Sequence, residues 1–154
     1  MATETKLRQL ADKGCPVYYF YSSERYLVRQ AVAAATRILT ADSDEDATVL
    51  DGAAPEIEQL IMAAGTISFF GTRRVVVLPE IDPAAYSDKD LEELNSTLSS
   101  LENAVVVLGS VFELERSKLK TGKRAQKLIA QCKALGYTEE LAKPKPFELK
   151  MIMI

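Results

Sequence analysis

Histidine is absent from all 154 residues, and cysteine occurs only twice, at Cys15 and Cys132. Without imidazole, the histidine-dependent triads and acid–base schemes are excluded. Without histidine or clustered cysteines, the commonest zinc sites cannot be built either. Two thiols so far apart in sequence read as reduced and half-buried, not as a bridge or a redox pair. Long apolar runs are missing too: Val75–Leu78 and Val105–Leu108 fall far short of the roughly 20 residues that span a bilayer. The polar N-terminus lacks the apolar region of a signal peptide, so a cytoplasmic protein without a membrane partner is expected. A formal net charge of -3 supplies no general attraction to nucleic acid, and direct DNA binding is expected to be weak or nil. No internal repeat or low-complexity segment occurs. With 47% apolar residues and charges of both signs, the chain suits one globular domain with a sizeable core.

Strand-like and helix-like segments alternate along the chain, the signature of an α/β domain with a mainly parallel sheet. A first helix is predicted over Thr5–Lys13, stopped by Gly14, followed by a strand Val17–Tyr21. Ser22 and Ser23 are positioned to cap a helix from Glu24 to about Leu39, whose apolar stripe is Leu27, Val28, Ala31, Ala35, Ile38 and Leu39. After an acidic turn, Asp42–Asp46, a short strand is expected at Thr48–Leu50. Pro55 then opens a helix carrying Ile57, Leu60, Ile61 and Ala64, which Gly65 ends. Arg74–Leu78 reads as a central strand, since its apolar residues show no alternation. Ser87 and Asp90 form a capping box for a helix with Leu91, Leu94, Leu98 and Leu101 at helical spacing. A second valine-rich strand, Ala104–Leu108, precedes a basic helix predicted over Ser117–Leu135. Gly136 closes that helix, and a fifth strand is expected at Tyr137–Glu139.

A parallel sheet invites a search for a phosphate site, because helix N-termini that follow strands bind anions. A phosphate loop needs G-x-x-x-x-G-K-[ST], with glycines that let backbone N–H groups wrap the phosphates. The first turn, "YFYSSERYLV", has neither glycine nor lysine. The "TGKR" at Thr121–Arg124 has Ser117 at the first glycine position and Arg124 in place of the hydroxyl, and it falls inside a predicted helix. Neither provides a phosphate loop. Glu80 and Asp82, after the strand Val75–Leu78, are a carboxylate pair or simply part of a solvated loop. The basic run Lys118, Lys120, Lys123, Arg124 and Lys127 lacks interleaved aromatics for base stacking and reads as a solvated helix face. No catalytic, metal-binding or cofactor-binding residue is assigned.

The stretch "GTISFFGTRRVVVLPEID", Gly65–Asp82, is different in kind. It sets two adjacent phenylalanines between glycines, where a loop is ordinarily polar. They either fold back onto the sheet as core or protrude to be buried elsewhere, and the flanking glycines favour an adaptable, protruding loop.

In this order of features, with "FFGTRRVVVL" after an acidic stretch and a "DG" strand, the chain resembles the delta subunit of the bacterial DNA polymerase III clamp loader. The resemblance runs from Val17 to about Leu149. It includes Arg73-Arg74-Val75-Val76-Val77 and the segment Ser110–Lys120, "SVFELERSKLK". It implies an α/β, P-loop NTPase-like (AAA+-like) three-layer domain with a mainly parallel five-stranded sheet and no functional phosphate loop. Residues 1–142 would form that domain, and 143–154 a linker and the start of a helical lid. The family's loop inserts apolar anchors into a pocket of the sliding clamp. Thr66, Ile67, Ser68, Phe69 and Phe70 match it, with Phe69 where leucine is common and Thr66 where glutamine often stands. The implied function is clamp binding and clamp opening in DNA replication, without an enzymatic site or cofactor. The implied partners are the beta sliding clamp and, for the full-length protein, other loader subunits. The alternative is a small α/β enzyme that uses the acidic loop at Glu80 and Asp82 together with the serines of the first turn, Ser22 and Ser23.

Overall fold

The computed structural model describes residues 4–41, 46–65 and 73–142. Helix α1 (Glu4–Asp12) ends where Gly14 takes φ +78° and its N–H bonds the carbonyl of Ala11, a turn that a side chain would strain. Then follow β1 (Val17–Ser22), α2 (Arg25–Thr40), β2 (Thr48–Val49), α3 (Ile57–Gly65) and β3 (Arg74–Leu78). A 3-10 turn (Pro83–Ala85) leads to α4 (Asp88–Ser99) and β4 (Ala104–Val111). The hairpin strands β5 (Leu114–Glu115) and β6 (Lys118–Leu119) precede α5 (Gly122–Leu135) and β7 (Tyr137–Glu140).

The main sheet has five strands in the order β2-β3-β4-β1-β7. Every neighbouring pair is parallel, with Val17 opposite Val106 and Val76 opposite Val106 on its other side. Parallel crossovers are right-handed, so a chain that steps from β1 out to β2 and then returns across the sheet must put its helices on both faces. Leu7 of α1 and Val28, Ala31, Val32 and Ala35 of α2 cover Tyr18, Phe20, Val75, Val77, Val105 and Val107. On the opposite face α3, α4 and α5 bury Leu60, Leu94, Leu98, Leu128 and Cys132 against Val17, Tyr19, Val76, Leu78, Val106 and Leu108. The expected three-layer α/β architecture is therefore the observed one. Ser87 caps α4 by accepting the N–H of Asp90 at 3.1 Å, as its spacing predicts.

Several local expectations are corrected. The helix predicted from Ser117 begins only at Gly122, because Leu114–Leu119 forms an antiparallel hairpin instead. In it Glu115 faces Lys118, and the turn residues Arg116 and Ser117 take φ 53° and 68°. "TGKR" accordingly lies at the start of α5, with Thr121 as the N-cap and Gly122, Lys123 and Arg124 in the first helical turn. Neither Ser22 nor Ser23 is the N-cap of α2. That position is Glu24, and Ser22 Oγ instead accepts the Glu24 N–H at 3.0 Å. Ile61 is 51% exposed, since the sheet and α4 cover only the Ile57/Leu60 side of α3. β4 continues beyond Leu108 to Val111, and Val32 joins the buried stripe of α2.

Candidate functional site

In open α/β sheets the crevice lies outside the carboxyl ends of the strands, where neighbouring strands send their chains to opposite faces. Here β1 runs into α2 on one face, and its neighbour β4 leads to α5 on the other. The crevice is therefore set between the ends of β1 and β4. A cavity of about 480 Å³ opens there, lined by Arg25, Glu80, Asp82, Phe112, Lys120 and Thr121 among others.

Its floor is tied together by buried bonds. Tyr19 Oη and Ser110 Oγ lie 2.7 Å apart, and Ser110 Oγ donates to the carbonyl of Ile81 at 2.8 Å. This joins β1, β4 and the loop after β3. Phe112 N–H donates to the Ser22 carbonyl at 2.8 Å, and the Phe112 ring meets Tyr21 edge-on with centroids 6.0 Å apart. Gly109 is required by close approach: a Cβ there would lie 2.4 Å from the Pro79 carbonyl oxygen and 2.8 Å from Val28 Cγ1.

Above this floor the charged groups pair with one another. Arg25 Nε donates to Glu80 Oε1 at 2.7 Å, linking the start of α2 to the end of β3, with the two side chains 57% and 41% exposed. Asp82 Oδ1 accepts the Ala84 N–H at 3.0 Å and so caps the 3-10 turn. The two acids thus have separate structural partners. Glu24 is the N-cap of α2, and a negative charge at that position opposes the binding of an anion at this helix end. Thr121, the N-cap of α5, has αR geometry and makes no side-chain cap bond, and Gly122 takes φ +77°.

The nucleophile candidates are held in their neutral forms. Burial pushes the Cys132 thiol up to about 12, and burial also raises Cys15, against a smaller opposing effect from its bond to the Val17 carbonyl. Burial raises the Tyr19 phenol far above its ordinary range, although the Ser110 bond pulls the other way. Both thiols are free. Among the described residues no group of three or more acidic or cysteine side chains is placed to hold a metal ion.

The basic residues do not share one helix face. Lys118 sits in β6 opposite Glu115, Lys120 follows the hairpin, and Lys123 and Lys127 are exposed on α5. Arg124 is held by Asp88, with Nε 3.0 Å from Oδ1. Thr66, Ile67, Ser68, Phe69 and Phe70 lie outside the described residues. Their flanks are described: Gly65 ends α3, and Arg73 precedes β3 at the amino-terminal edge of the sheet, across the molecule from the crevice. There Arg73 Nη2 donates to the Ala104 carbonyl at 3.3 Å. Among the described residues no helix is long and apolar enough to cross a membrane. Sequence reasoning found Glu80 and Asp82 but missed Arg25, Ser110 and Phe112, whose partners are distant in the chain.

Neither protein-family models nor curated proteins give a match to the sequence. Among solved structures, the chain is similar to a DNA polymerase III gamma subunit-related protein from Thermotoga maritima MSB8, with a TM-score of 0.65 at 15% identity. The similarity covers 95% of this chain and 48% of that one, so the chain spans about half the length of the protein it matches. At that identity what the two share is the fold.

Proposed function

We propose that the chain is the N-terminal, AAA+-like domain of a delta-type clamp-loader subunit, a non-enzymatic module that binds the DNA polymerase III sliding clamp and helps to open it. The observation that supports this most is the fold likeness over 95% of the chain to a DNA polymerase III gamma subunit-related protein. The two phenylalanines between Gly65 and Gly71 add a sequence feature that an internal core loop does not need. A loop that grips the clamp better when its interface is distorted shifts the ring toward the open state by the difference in affinity. ATP is then left to other loader subunits. That division fits a β1–α2 turn with no glycine or lysine, with Glu24 at the helix end and an Arg25–Glu80 pair across the crevice.

The test measures two quantities on two variants. Buried aromatic anchors are binding hot spots, so Phe69→Ala and Phe70→Ala should each weaken clamp binding about 30- to 1000-fold on a sizing column or by calorimetry. Folding stability should barely change. If the rings are core instead, each variant loses about 3–5 kcal/mol of stability. Large destabilisation with intact clamp affinity would refute the proposal.

A further inference from the structure

Helices α3 and α4 both return from the carboxyl to the amino end of a parallel sheet, so they run side by side in the same direction. A groove follows their seam. Near their amino ends it opens into a hollow of about 360 Å³ lined by Glu56, Glu58, Tyr86, Asp90 and Glu93 among others. Near their carboxyl ends a second hollow, of about 350 Å³, is lined by Ile61, Ala64, Thr97, Ser100 and Leu101 among others. On α4 the groove side is Asp90, Glu93, Thr97 and Ser100, which recur every three or four residues. The opposite flank of α4 belongs to α5: there Asp88 holds Arg124 at 3.0 Å, and Ser99 Oγ accepts from Gln131 at 3.4 Å. On α3 the groove side carries Ile61, 51% exposed, with Met62 73% exposed beside it.

Charge is one-sided along this seam. The two linings hold five carboxylates, Glu56, Glu58, Asp90, Glu93 and Glu102, and no lysine or arginine. Around them stand Asp51 in the loop before α3, Lys89 and Glu92 on the exposed side of α4, and Arg74 at the start of β3, whose N–H bonds the Asn103 carbonyl at 2.9 Å. First-turn acids such as Glu58 and Asp90 also complement their helix dipoles, but Glu93 lies in the second turn, and Ile61 forgoes burial by facing water. Such a groove repels nucleic acid and anionic lipid, and it attracts a cationic protein segment. The 12 residues of α4 span about 18 Å, which is room for about three turns of a docked helix. The α2 face of a second copy, with Tyr26 and Arg29, is the poorer match, because Arg25 and Arg37 are already held by Glu80 and Glu4 at 2.7 and 2.6 Å.

We propose that the α3–α4 groove docks a basic amphipathic helix of a partner protein, with its lysines or arginines between Glu58 and Glu93 and its apolar stripe against Ile61 and Leu101. The inference goes beyond clamp binding and does not depend on it. The probe is a fluorescent helical peptide of about 18 residues, with a leucine stripe along one face and lysines clustered at one end, titrated with the full chain and read by anisotropy. Micromolar binding is expected at ~150 mM salt, and a peptide of the same composition in scrambled order should bind about tenfold more weakly or worse. Glu58→Lys with Glu93→Lys should weaken binding about tenfold or more, and so should Ile61→Ser. Asp12→Lys with Glu115→Lys makes the same charge change away from the groove and should alter affinity by no more than about twofold. All five side chains are exposed, so none of these variants threatens the fold, and urea midpoints check that. No binding, equal binding of the scrambled peptide, equal weakening by the distant pair, or indifference to Ile61→Ser would each overturn the proposal. So would a sedimentation coefficient that rises with concentration in the unmodified chain but not in the Glu58→Lys, Glu93→Lys variant, which would assign the groove to a second copy.

Discussion

Ser110 is the joint of the crevice floor, and its removal can be worked through group by group. Ser110→Ala deletes one hydroxyl but strands two others, the Tyr19 phenol and the Ile81 carbonyl, in a region where Tyr19 and Ser110 are both 0% exposed. A buried polar group left without a partner costs about 1–3 kcal/mol, so the expected loss is about 2–4 kcal/mol. Tyr19→Phe is milder. It removes one bond but leaves Ser110 donating to Ile81, at about 0.5–1.5 kcal/mol. In the Tyr19→Phe background, Ser110→Ala then strands only the carbonyl. The two changes should therefore be coupled by about 1 kcal/mol or more in a double-mutant cycle. Urea unfolding of the four proteins gives the numbers, with the midpoint moving and the slope constant. Simple additivity, or a Ser110→Ala loss below about 0.5 kcal/mol, would refute the buried network.

The remaining expectations rest on separate parts of the fold. Gly109→Ala sets a Cβ 2.4 Å from the Pro79 carbonyl oxygen, so strands or α2 must move; a loss at or above the upper end of about 1–3 kcal/mol is expected in the same urea assay, and a neutral substitution would show the approach to be looser. Stability should fall at alkaline pH. A folded pKa raised to about 12 from the ordinary 9.0 at Cys132 stabilises fully below pH 9, and that contribution is lost as pH rises toward 12, at up to about 1.4 kcal/mol per pH unit. Buried tyrosines such as Tyr86, raised by burial to about 12 from 10.0, steepen the fall above pH 10, and a melting temperature unchanged from pH 8 to 11 would contradict this. ATP with magnesium at millimolar concentration should raise the melting temperature by less than about 2 °C, since occupancy at a ligand concentration near Kd adds only about 0.4 kcal/mol. A rise of more than about 5 °C would require binding roughly tenfold tighter or more and would overturn the proposal that this domain leaves ATP to other subunits.

The central strands and the helix stripes were legible because burial on both faces leaves an unmistakable composition. Val75–Leu78 and Val105–Leu108 have no solvent side to alternate with, and Leu91, Leu94 and Leu98 recur at the helical period. The hairpin was not legible. Leu114 and Leu119 are opposite each other only because a two-residue turn separates Glu115 from Lys118, and "RS" lacks the Asn-Gly or Asp-Gly signal of such a turn. A charged stretch with leucines five apart reads equally well as the opening of a basic helix. Ile61 failed for the opposite reason: its periodicity is right, but α3 is too short and too near the edge of the sheet for its neighbours to cover both sides.

The crevice was half legible, and the missing half was the part that sets its chemistry. Glu80 and Asp82 follow a buried strand and are visible to anyone searching for acids. Nothing local shows that Arg25, 55 residues away, holds one of them, or that Asp82 is committed to its own turn. Ser110 looks like a stray hydroxyl in an apolar strand until the parallel register brings it beside β1. Its partner Tyr19 is 91 residues distant and the Ile81 carbonyl 29. Each of these groups would count as a catalytic candidate if judged by residue type alone. In the folded chain they bond to one another, so an incoming ligand must exchange existing bonds rather than fill empty ones. The net gain from such an exchange is small. Tight recognition by the described part of this domain therefore needs a surface whose groups are not already paired with their own neighbours.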